Sequence, residues 1–312
     1  MILLWGGAAD GPFEAVREAL EAIGAPVFAL EQTRSAETKI ELLADGTVSG
    51  AIRVGVDECD LAAVSAVYVR SRDSRSVTPD AKRDEALAQH ADQLDALMAA
   101  FLDVTGALVI NPVEAMASNG SKPYQLALIA AHGFMTPDTL VTTDPWAATE
   151  FAARHGQVVY KSVSGVRSIV ARLRREDADR LADIAWCPTQ FQQYVAGRDY
   201  RVHIVGEQVF AAEIESDADD YRYAAQAGKG VSVRYARIPA SVEERCRSLA
   251  AALGLAVAGI DLRLTPEGDW HCFEVNPSPA FTYYEWSTGQ PIAHAIAKLL
   301  ARGRCQVAEG RL

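Results

Sequence analysis

Apolar positions in the first third of the chain switch between two periods. Ile2-Leu3-Leu4-Trp5 is a short apolar run, and Phe13, Val16, Leu20 and Ile23 follow at helical spacing. The pattern predicts a strand over 2–5, a helix over 12–23 and a second strand over 26–30. Residues 40–54 read as a hairpin turning at Asp45-Gly46. A strand over 66–70, a long amphipathic helix over 80–103 (Leu87, Leu94, Leu97, Met98, Phe101) and a strand over 108–111 complete the region. Strands alternating with helices predict an α/β lobe over 1–111 with a mostly parallel sheet. Gly6-Gly7 follows the first strand without a GxGxxG pattern and reads as a tight turn.

Asn111-Pro112 breaks the pattern. A helix over 122–132 stops at Gly133, and an extended segment over 139–142 and a helix over 145–155 follow. Two apolar runs, 158–163 and 168–173, flank Ser164-Gly165 and predict a hairpin. A short helix over 177–185 and a strand over 189–195 lead into a β-rich last third. There, 200–205, 208–215 and 231–238 read as antiparallel strands. A helix over 242–253, a hairpin of 256–264 with 270–275 around Thr265-Pro266-Glu267-Gly268, and a helix over 292–300 come next. The break at Asn111-Pro112 closes a first lobe over 1–111, two further lobes are expected over 112–192 and 193–312, and the tail past Arg302 reads as loose.

Composition narrows the class. A chain of 312 residues suits two or three lobes, and 49% hydrophobic with 23% charged residues suits a soluble enzyme. The 41 acidic residues against 30 Lys and Arg give a net charge of -11, which repels nucleic-acid backbones but leaves room for local lysines to bind ATP. No apolar run approaches the roughly 20 residues of a membrane helix, and the start has no basic n-region. The dispersed cysteines Cys59, Cys187, Cys246, Cys272 and Cys305 form no metal spacing. They read as reduced thiols filling small apolar sites, so the expected setting is the cytoplasm, away from membranes and nucleic acid.

The densest chemistry lies in AGIDLRLTPEGDWHCFEVNPSPAF. Folding this hairpin back brings Asp261 near Glu274 and Asn276, and the latter two share a strand face. Two carboxylates and an amide oxygen are hard ligands of the kind magnesium takes when phosphates complete its shell. The competing reading is a surface hairpin, against which stands the apolar setting of Glu274. Lys122 opens a helix after small residues, and Lys161 ends a strand before Ser162-Val163-Ser164-Gly165-Val166-Arg167-Ser168, whose backbone can cover phosphates. A plain strand and turn is the alternative for Thr189–Arg201, where an apolar strand otherwise offers backbone groups to adenine and Asp199 to ribose.

Together these segments resemble the ATP-grasp superfamily, in the branch of the RimK-type ribosomal-protein glutamate ligases and the graspetide (microviridin-type) macrocyclases. The resemblance implies an α/β (α+β) ATP-grasp fold behind a Rossmann-like pre-ATP-grasp lobe. Lys122, with Gly133-Phe134-Met135-Thr136-Pro137-Asp138-Thr139 after its helix, and Lys161 match the two nucleotide lysines. Ser164, Gly165 and Ser168 match the phosphate-covering loop. Gln192-Gln193-Tyr194-Val195 matches the adenine hinge, and Asp199 the ribose contact. Asp261, Glu274 and Asn276 match the magnesium ligands. Asp220-Tyr221-Arg222 resembles the graspetide Asp-Trp-Arg motif, and Val67-Tyr68-Val69-Arg70 its N-terminal strand. Two departures stand out: Pro279-Ala280-Phe281 replaces the usual Gly after Asn-Pro-Ser, and Gln193 replaces the hinge Glu.

The implied reaction uses ATP and Mg2+. A substrate carboxylate takes the γ-phosphoryl group, and an amine or hydroxyl then displaces phosphate to give an amide or ester. Arg201, Arg222 and Arg263 are candidates for holding the carboxylate and the acyl phosphate, each against the alternative of a surface ion pair. His203 reads as structural, and no general base is evident. Tyr284 and Glu285, with Arg167, are expected at the acceptor pocket. Expected partners are a small-molecule or peptide carboxylate and an amine or hydroxyl, with a homodimer as the candidate assembly. Three functions compete: a small-molecule carboxylate–amine ligase, a peptide macrocyclase or glutamate-adding enzyme, and a nucleotide-binding regulator. The intact lysines and carboxylates argue against the last.

Overall fold

The computed structural model of the chain describes residues 1–44, 48–163, 169–216, 221, 228 and 230–303. Its first strands are β1 (Ile2–Gly6), β2 (Val27–Glu31), β3 (Thr38–Ala44), β4 (Val48–Val54), β5 (Asp57–Asp60), β6 (Ala66–Val69) and β7 (Leu108–Ile110). β2, β1, β6 and β7 lie in that order in a parallel sheet. β1 and β6 are buried along their whole length because the sheet is covered on both faces. Ile2, Leu4 and Tyr68 pack with Phe13, Leu20, Ile296 and Leu300, while Leu3, Val67 and Val69 pack with Ile52, Met98 and Phe101. The last helix, Ile292–Arg302, thus returns to the first lobe. β3, β4 and β5 form a small antiparallel sheet whose third strand, the polar Asp57–Asp60, has no apolar signature. The expected turn at Asp45-Gly46 lies outside the described residues. The long helix begins at Glu85, later than expected, because the Asp84 carboxylate caps the backbone N–H groups of Ala86 and Leu87.

The second sheet joins β8 (Thr139–Thr142), β9 (Val158–Ser162), β10 (Ala171–Arg172) and β11 (Thr189–Gln193) in the order β10-β9-β11-β8. Helix Pro145–His155 sets Ala148 and Phe151 against Phe191. The short helix expected over 177–185 is a 3-10 helix, Arg175–Trp186. Its apolar anchors Leu181 and Ile184 are three apart, the repeat of a 3-10 turn.

The third sheet is antiparallel, with β12 (Arg198–Val205), β13 (Gln208–Ser216), β14 (Val231–Tyr235), β15 (Val257–Leu264) and β16 (Trp270–Asn276) in the order β14-β13-β12-β15-β16. Tyr200, Val202, Ile204, Ile260 and Leu262 form one face and pack with Val242, Cys246 and Leu249 of helix Ala240–Ala252. Period-2 alternation sends Asp199, Arg201 and His203 to the other face. Cys59, Cys246 and Cys272 are buried as expected, whereas Cys187 is exposed at the end of the 3-10 segment. Cys305 and the tail lie outside the described residues. Among the described residues no helix is long and apolar enough to cross a membrane.

Candidate active site

A cleft lies between the second and third sheets, lined by Lys161, Gln192, Gln193, Tyr194, Val195, Asp199, Tyr221, Asp261, Arg263, Phe273 and Glu274, among others. Strand register places the charges. On β12 and β15, Asp199 faces Arg263 and Arg201 faces Asp261, and on β15 and β16, Asp261 faces Glu274 and Gly259 faces Asn276. A bulge between Asp261 and Leu262 shifts the register, so that Leu262 pairs with Cys272 and skips Phe273. Without it, residues 272 and 274 would share a face. With it, Cys272 enters the core while Phe273 and Glu274 both line the cleft. Burial pushes the Cys272 thiol far above its ordinary range, which keeps it protonated and inert.

Glu274 is the meeting point of two lobes. Its Oε2 accepts from Lys122 Nζ at 3.2 Å and from Lys161 Nζ at 3.3 Å. Lys122 stands at the start of helix Lys122–Ala131 and Lys161 on β9, so cations from separate segments converge on one carboxylate. Gln125, on the same helix, fixes β16 by donating to Val275 O (2.8 Å) and accepting from Val275 N–H (2.9 Å).

Asp261 has a different neighbour. Arg201 Nη1 donates to Asp261 Oδ1 at 2.5 Å, and Arg201 Nε lies 3.4 Å from His203 Nε2. Burial opposes the Arg201 charge, but Asp261, with the Tyr284 and Tyr221 phenols, outweighs it and raises the guanidinium above its usual range. The same burial, reinforced by Arg201, depresses His203 well below the ordinary imidazole value, so His203 is neutral. Gly259 makes this packing possible: a Cβ there would stand 2.3 Å from Arg201 Nη2 and 2.8 Å from Pro279 Cβ.

Arg263 does not point freely at a substrate. Its Nε and Nη2 grip Asp199 at 2.7 and 2.9 Å, and its Nη1 donates to Val195 O at 2.7 Å. It therefore ties the expected ribose residue to the expected hinge. Gln192 turns its side-chain amide to Thr139 Oγ1 (3.0 Å), Gln193 N–H donates to Asp138 O (2.9 Å), and the Tyr194 ring lies 4.0 Å under the Arg172 guanidinium. Gly197, at φ 152°, lets the hinge pass where a Cβ would stand 2.3 Å from Leu264 O. Asn276 Oδ1 accepts from Ser278 N–H at 2.9 Å.

The acceptor segment divides. Residues 282–288 form a helix, Thr282–Thr288, that aromatic content alone did not predict. Phe281 is buried against the first lobe, and Tyr283 is exposed. Tyr284 reaches the site: its ring lies 5.1 Å from that of His203, its hydroxyl is 2.7 Å from that of Tyr221, and Arg201 sits 5.8 Å above it. Burial, and then Asp261, pushes the Tyr221 phenol well above its usual range, so it remains a proton donor. Glu285, by contrast, turns away from the cleft to the start of the last helix. Its Oε1 accepts from Ala293 N–H at 3.1 Å, and burial raises its carboxyl above the usual range. The helix start takes up the carboxylate that was expected at the acceptor pocket. Ser164, Gly165, Arg167, Ser168, Asp220 and Arg222 lie outside the described residues. Sequence reasoning missed Tyr221 as a wall of the cleft, although the Asp-Tyr-Arg motif contained it, and missed the Asp199–Arg263 pair.

Two sheets closing on a cleft with lysines from separate segments of the central lobe and opposed carboxylates on the third sheet define the ATP-grasp class of ATP-dependent ligases. Residues 119–300 match the RimK-like ATP-grasp domain family, and the chain belongs to that family. A probable alpha-L-glutamate ligase of Enterobacter sp. (strain 638) is 29% identical over 210 residues, covering 64% of this chain and 69% of its own. Two solved structures follow the chain further. The macrocyclase MdnC of Microcystis aeruginosa MRC, bound with precursor peptide MdnA, is similar with a TM-score of 0.84 and 25% identity over 97% of this chain and 99% of its own. The ATP-grasp ligase PsnB, complexed with a phosphomimetic variant of its minimal precursor, Mg and ADP, has a TM-score of 0.81 and 26% identity over 96% and 97% of the two chains.

Proposed function

We propose that this ligase activates a carboxylate of a peptide with ATP and joins it to an amine or hydroxyl, closing an amide or ester bond in the manner of a macrocyclase, and that it works in the cytoplasm. The observation that carries this reading is the extent of the structural likeness. MdnC, which is bound with a precursor peptide, matches over 97% of the chain, first lobe included, with a TM-score of 0.84. Residues 1–111 then serve as the substrate lobe, with 112–192 and 193–312 closing on the nucleotide.

The donor set suits magnesium. Asp261 and Glu274 oppose each other with the Asn276 amide oxygen on the same strand face. Among the described residues no group of three or more His, Cys, Asp or Glu side chains forms a metal cluster, so phosphate oxygens would complete the shell. Bound there, magnesium neutralises charge on the transferring phosphoryl group. Lys122 and Lys161 exchange their contacts with Glu274 for phosphate oxygens. The hinge 192–195 presents backbone groups to adenine, and Asp199, steadied by Arg263, meets the ribose. A substrate carboxylate oxygen attacks the γ-phosphorus and ADP leaves; the amine or hydroxyl then attacks the acyl carbon, the bond to phosphate breaks, and inorganic phosphate departs with the nucleophile's proton. Arg222 holds the carboxylate and the acyl phosphate through this exchange, Arg201 stays on Asp261 and keeps that carboxylate in place, and Tyr284 bounds the acceptor side.

The test is mass spectrometry of short peptides encoded beside this chain, incubated with the enzyme, ATP and Mg2+. The expected product has lost one water for each bond, with one ADP and one phosphate released. A product gaining glutamate residues would make the chain a glutamate ligase. ATP turnover with free acids and amines but with no peptide would sink the peptide reading.

A further inference from the structure

An open parallel sheet offers a crevice at the carboxyl ends of its strands, where strand order reverses. In the first lobe that point lies between β1 and β6, and the chain fills it with its own groups. Arg70, just after β6, donates through Nε and Nη2 to Asp10 Oδ1 and Oδ2 at 2.9 and 2.8 Å. Its Nη1 donates to Ser278 Oγ at 2.7 Å and to Pro279 O at 3.2 Å. The pair is buried, with side-chain exposures of 8% and 13%. Asp10 is fixed in turn as the cap of helix Gly11–Ala22, accepting from Phe13 N–H at 2.9 Å.

A second strand end reaches the same turn. Asn111, directly after β7, donates through Nδ2 to Pro277 O at 2.5 Å and Val257 O at 2.6 Å, and its Oδ1 accepts from Ala256 and Val257 N–H. Residues 277–279 are thus held at each position by the first lobe. The last link runs from Ser278 N–H to Asn276 Oδ1. A side-chain amide has a donor end and an acceptor end, and only its oxygen can accept that N–H. The turn therefore decides which end of Asn276 is which, and leaves a second lone pair on the oxygen.

We propose that Arg70 and Asn111 are positioning residues for the metal site. They hold the 277–279 turn so that Asn276 offers oxygen, not its NH2 group, to the cation. The first lobe then completes the metal site without touching it. This rests on the reading of Asn276 as a magnesium ligand. Losing a partner that orients a ligand typically lowers metal affinity about 10- to 100-fold.

The test uses the full chain and two measurements: calorimetry of ADP binding in EDTA and in Mg2+, and a paramagnetic-resonance titration of Mn2+ into ADP-loaded protein. The variants are Asn276→Ala, Ser278→Ala and Arg70→Lys. Ser278→Ala keeps the Arg70–Asp10 pair, so it isolates the link from the stability of the lobe. Asn276→Ala should abolish the Mg2+-dependent gain in ADP affinity. Ser278→Ala and Arg70→Lys should each weaken Mn2+ binding roughly tenfold, with ADP binding in EDTA unchanged. Because they cut one link, the double variant should be no weaker than the more affected single variant. If Asn276→Ala keeps the Mg2+-dependent gain, the metal reading itself falls. If Asn276→Ala loses it while Ser278→Ala and Arg70→Lys bind Mn2+ normally, the positioning role falls and the metal reading stands. Loss of ADP binding in EDTA in Ser278→Ala would overturn the proposal in favour of a general structural role.

Discussion

Glu274 and Asp261 sit opposite each other on β16 and β15, and each has cations beside it, but the two regions are built differently. Glu274 meets lysines from two other segments, at 3.2 and 3.3 Å, with side-chain exposures of 19% for Lys122, 14% for Lys161 and 19% for Glu274. Asp261 meets Arg201 on the neighbouring strand at 2.5 Å, with Arg201 only 7% exposed. A lysine is a point charge on a flexible stem, and it can leave a carboxylate for a phosphate at little cost. A buried arginine held by register, a glycine gap and two rings cannot. The first arrangement suits ligand exchange and the second suits a fixed wall.

The comparison is broken most severely at Glu274. Glu274→Ala should lower turnover on the order of 10² to 10³, the scale of losing a charge-stabilising group at a reaction centre. Its thermal unfolding should fall less than that of Arg201→Met, because the two lysines left behind stand on flexible stems and can carry their charges into the open cleft. Phosphate release with the peptide substrate, beside a melting curve, checks both halves. A folded variant with normal turnover would remove Glu274 from the site.

Arg201→Met tests the other half. It leaves Asp261 beside two phenols without its guanidinium, so unfolding free energy should fall by about 3 kcal/mol, the low end for a broken buried pair. Urea titration measures this. A loss as small as that of Glu274→Ala would mean that the two carboxylates are equivalent.

The lysines sharpen the contrast at a smaller scale. Lys122→Met and Lys161→Met should each weaken ATP binding by roughly 1–3 kcal/mol and leave the melting temperature near that of the parent chain. Calorimetry at two salt concentrations decides it. Unchanged affinity in both variants would place the nucleotide elsewhere.

Much of this geometry is legible in the order of residues alone. The hairpin that opposes Asp261 to Glu274 follows from alternation and the Thr265-Pro266-Glu267-Gly268 turn, and the parallel lobe follows from apolar runs such as Ile2-Leu3-Leu4-Trp5. The bulge at Phe273 is not legible, since a one-residue register shift leaves no mark in composition. Nor is the use of Arg263 to hold Asp199, or of Glu285 to cap Ile292–Arg302. Side-chain pairing of this kind is set by the fold, and the partner is 64 positions away in one case and 8 in the other. The link from Arg70 to Ser278 spans 208 positions, a separation at which a single sequence carries no pairing signal.

The smallest expected effect belongs to His203, and it separates a structural histidine from a catalytic base. Its ring is fully buried, with the Arg201 guanidinium on one side and the Tyr284 ring on the other, and both burial and Arg201 oppose protonation. The folded value is therefore below the unfolded one of about 6.5. Above that pH both states are neutral and the histidine has no effect on stability through protons. As pH falls below it the unfolded chain takes up a proton that the folded chain refuses, and stability drops by at most about 1.4 kcal/mol per pH unit. The loss levels off only where the folded ring finally titrates. His203→Gln should flatten this slope between neutrality and mild acid while leaving the pH dependence of kcat unchanged, since the ring moves no proton in the reaction. Urea titrations of both proteins across that range, paired with turnover measurements, give the answer. An unchanged stability slope would mean that the ring titrates normally, and a kcat profile that lost its acid limb would make His203 a participant in the chemistry.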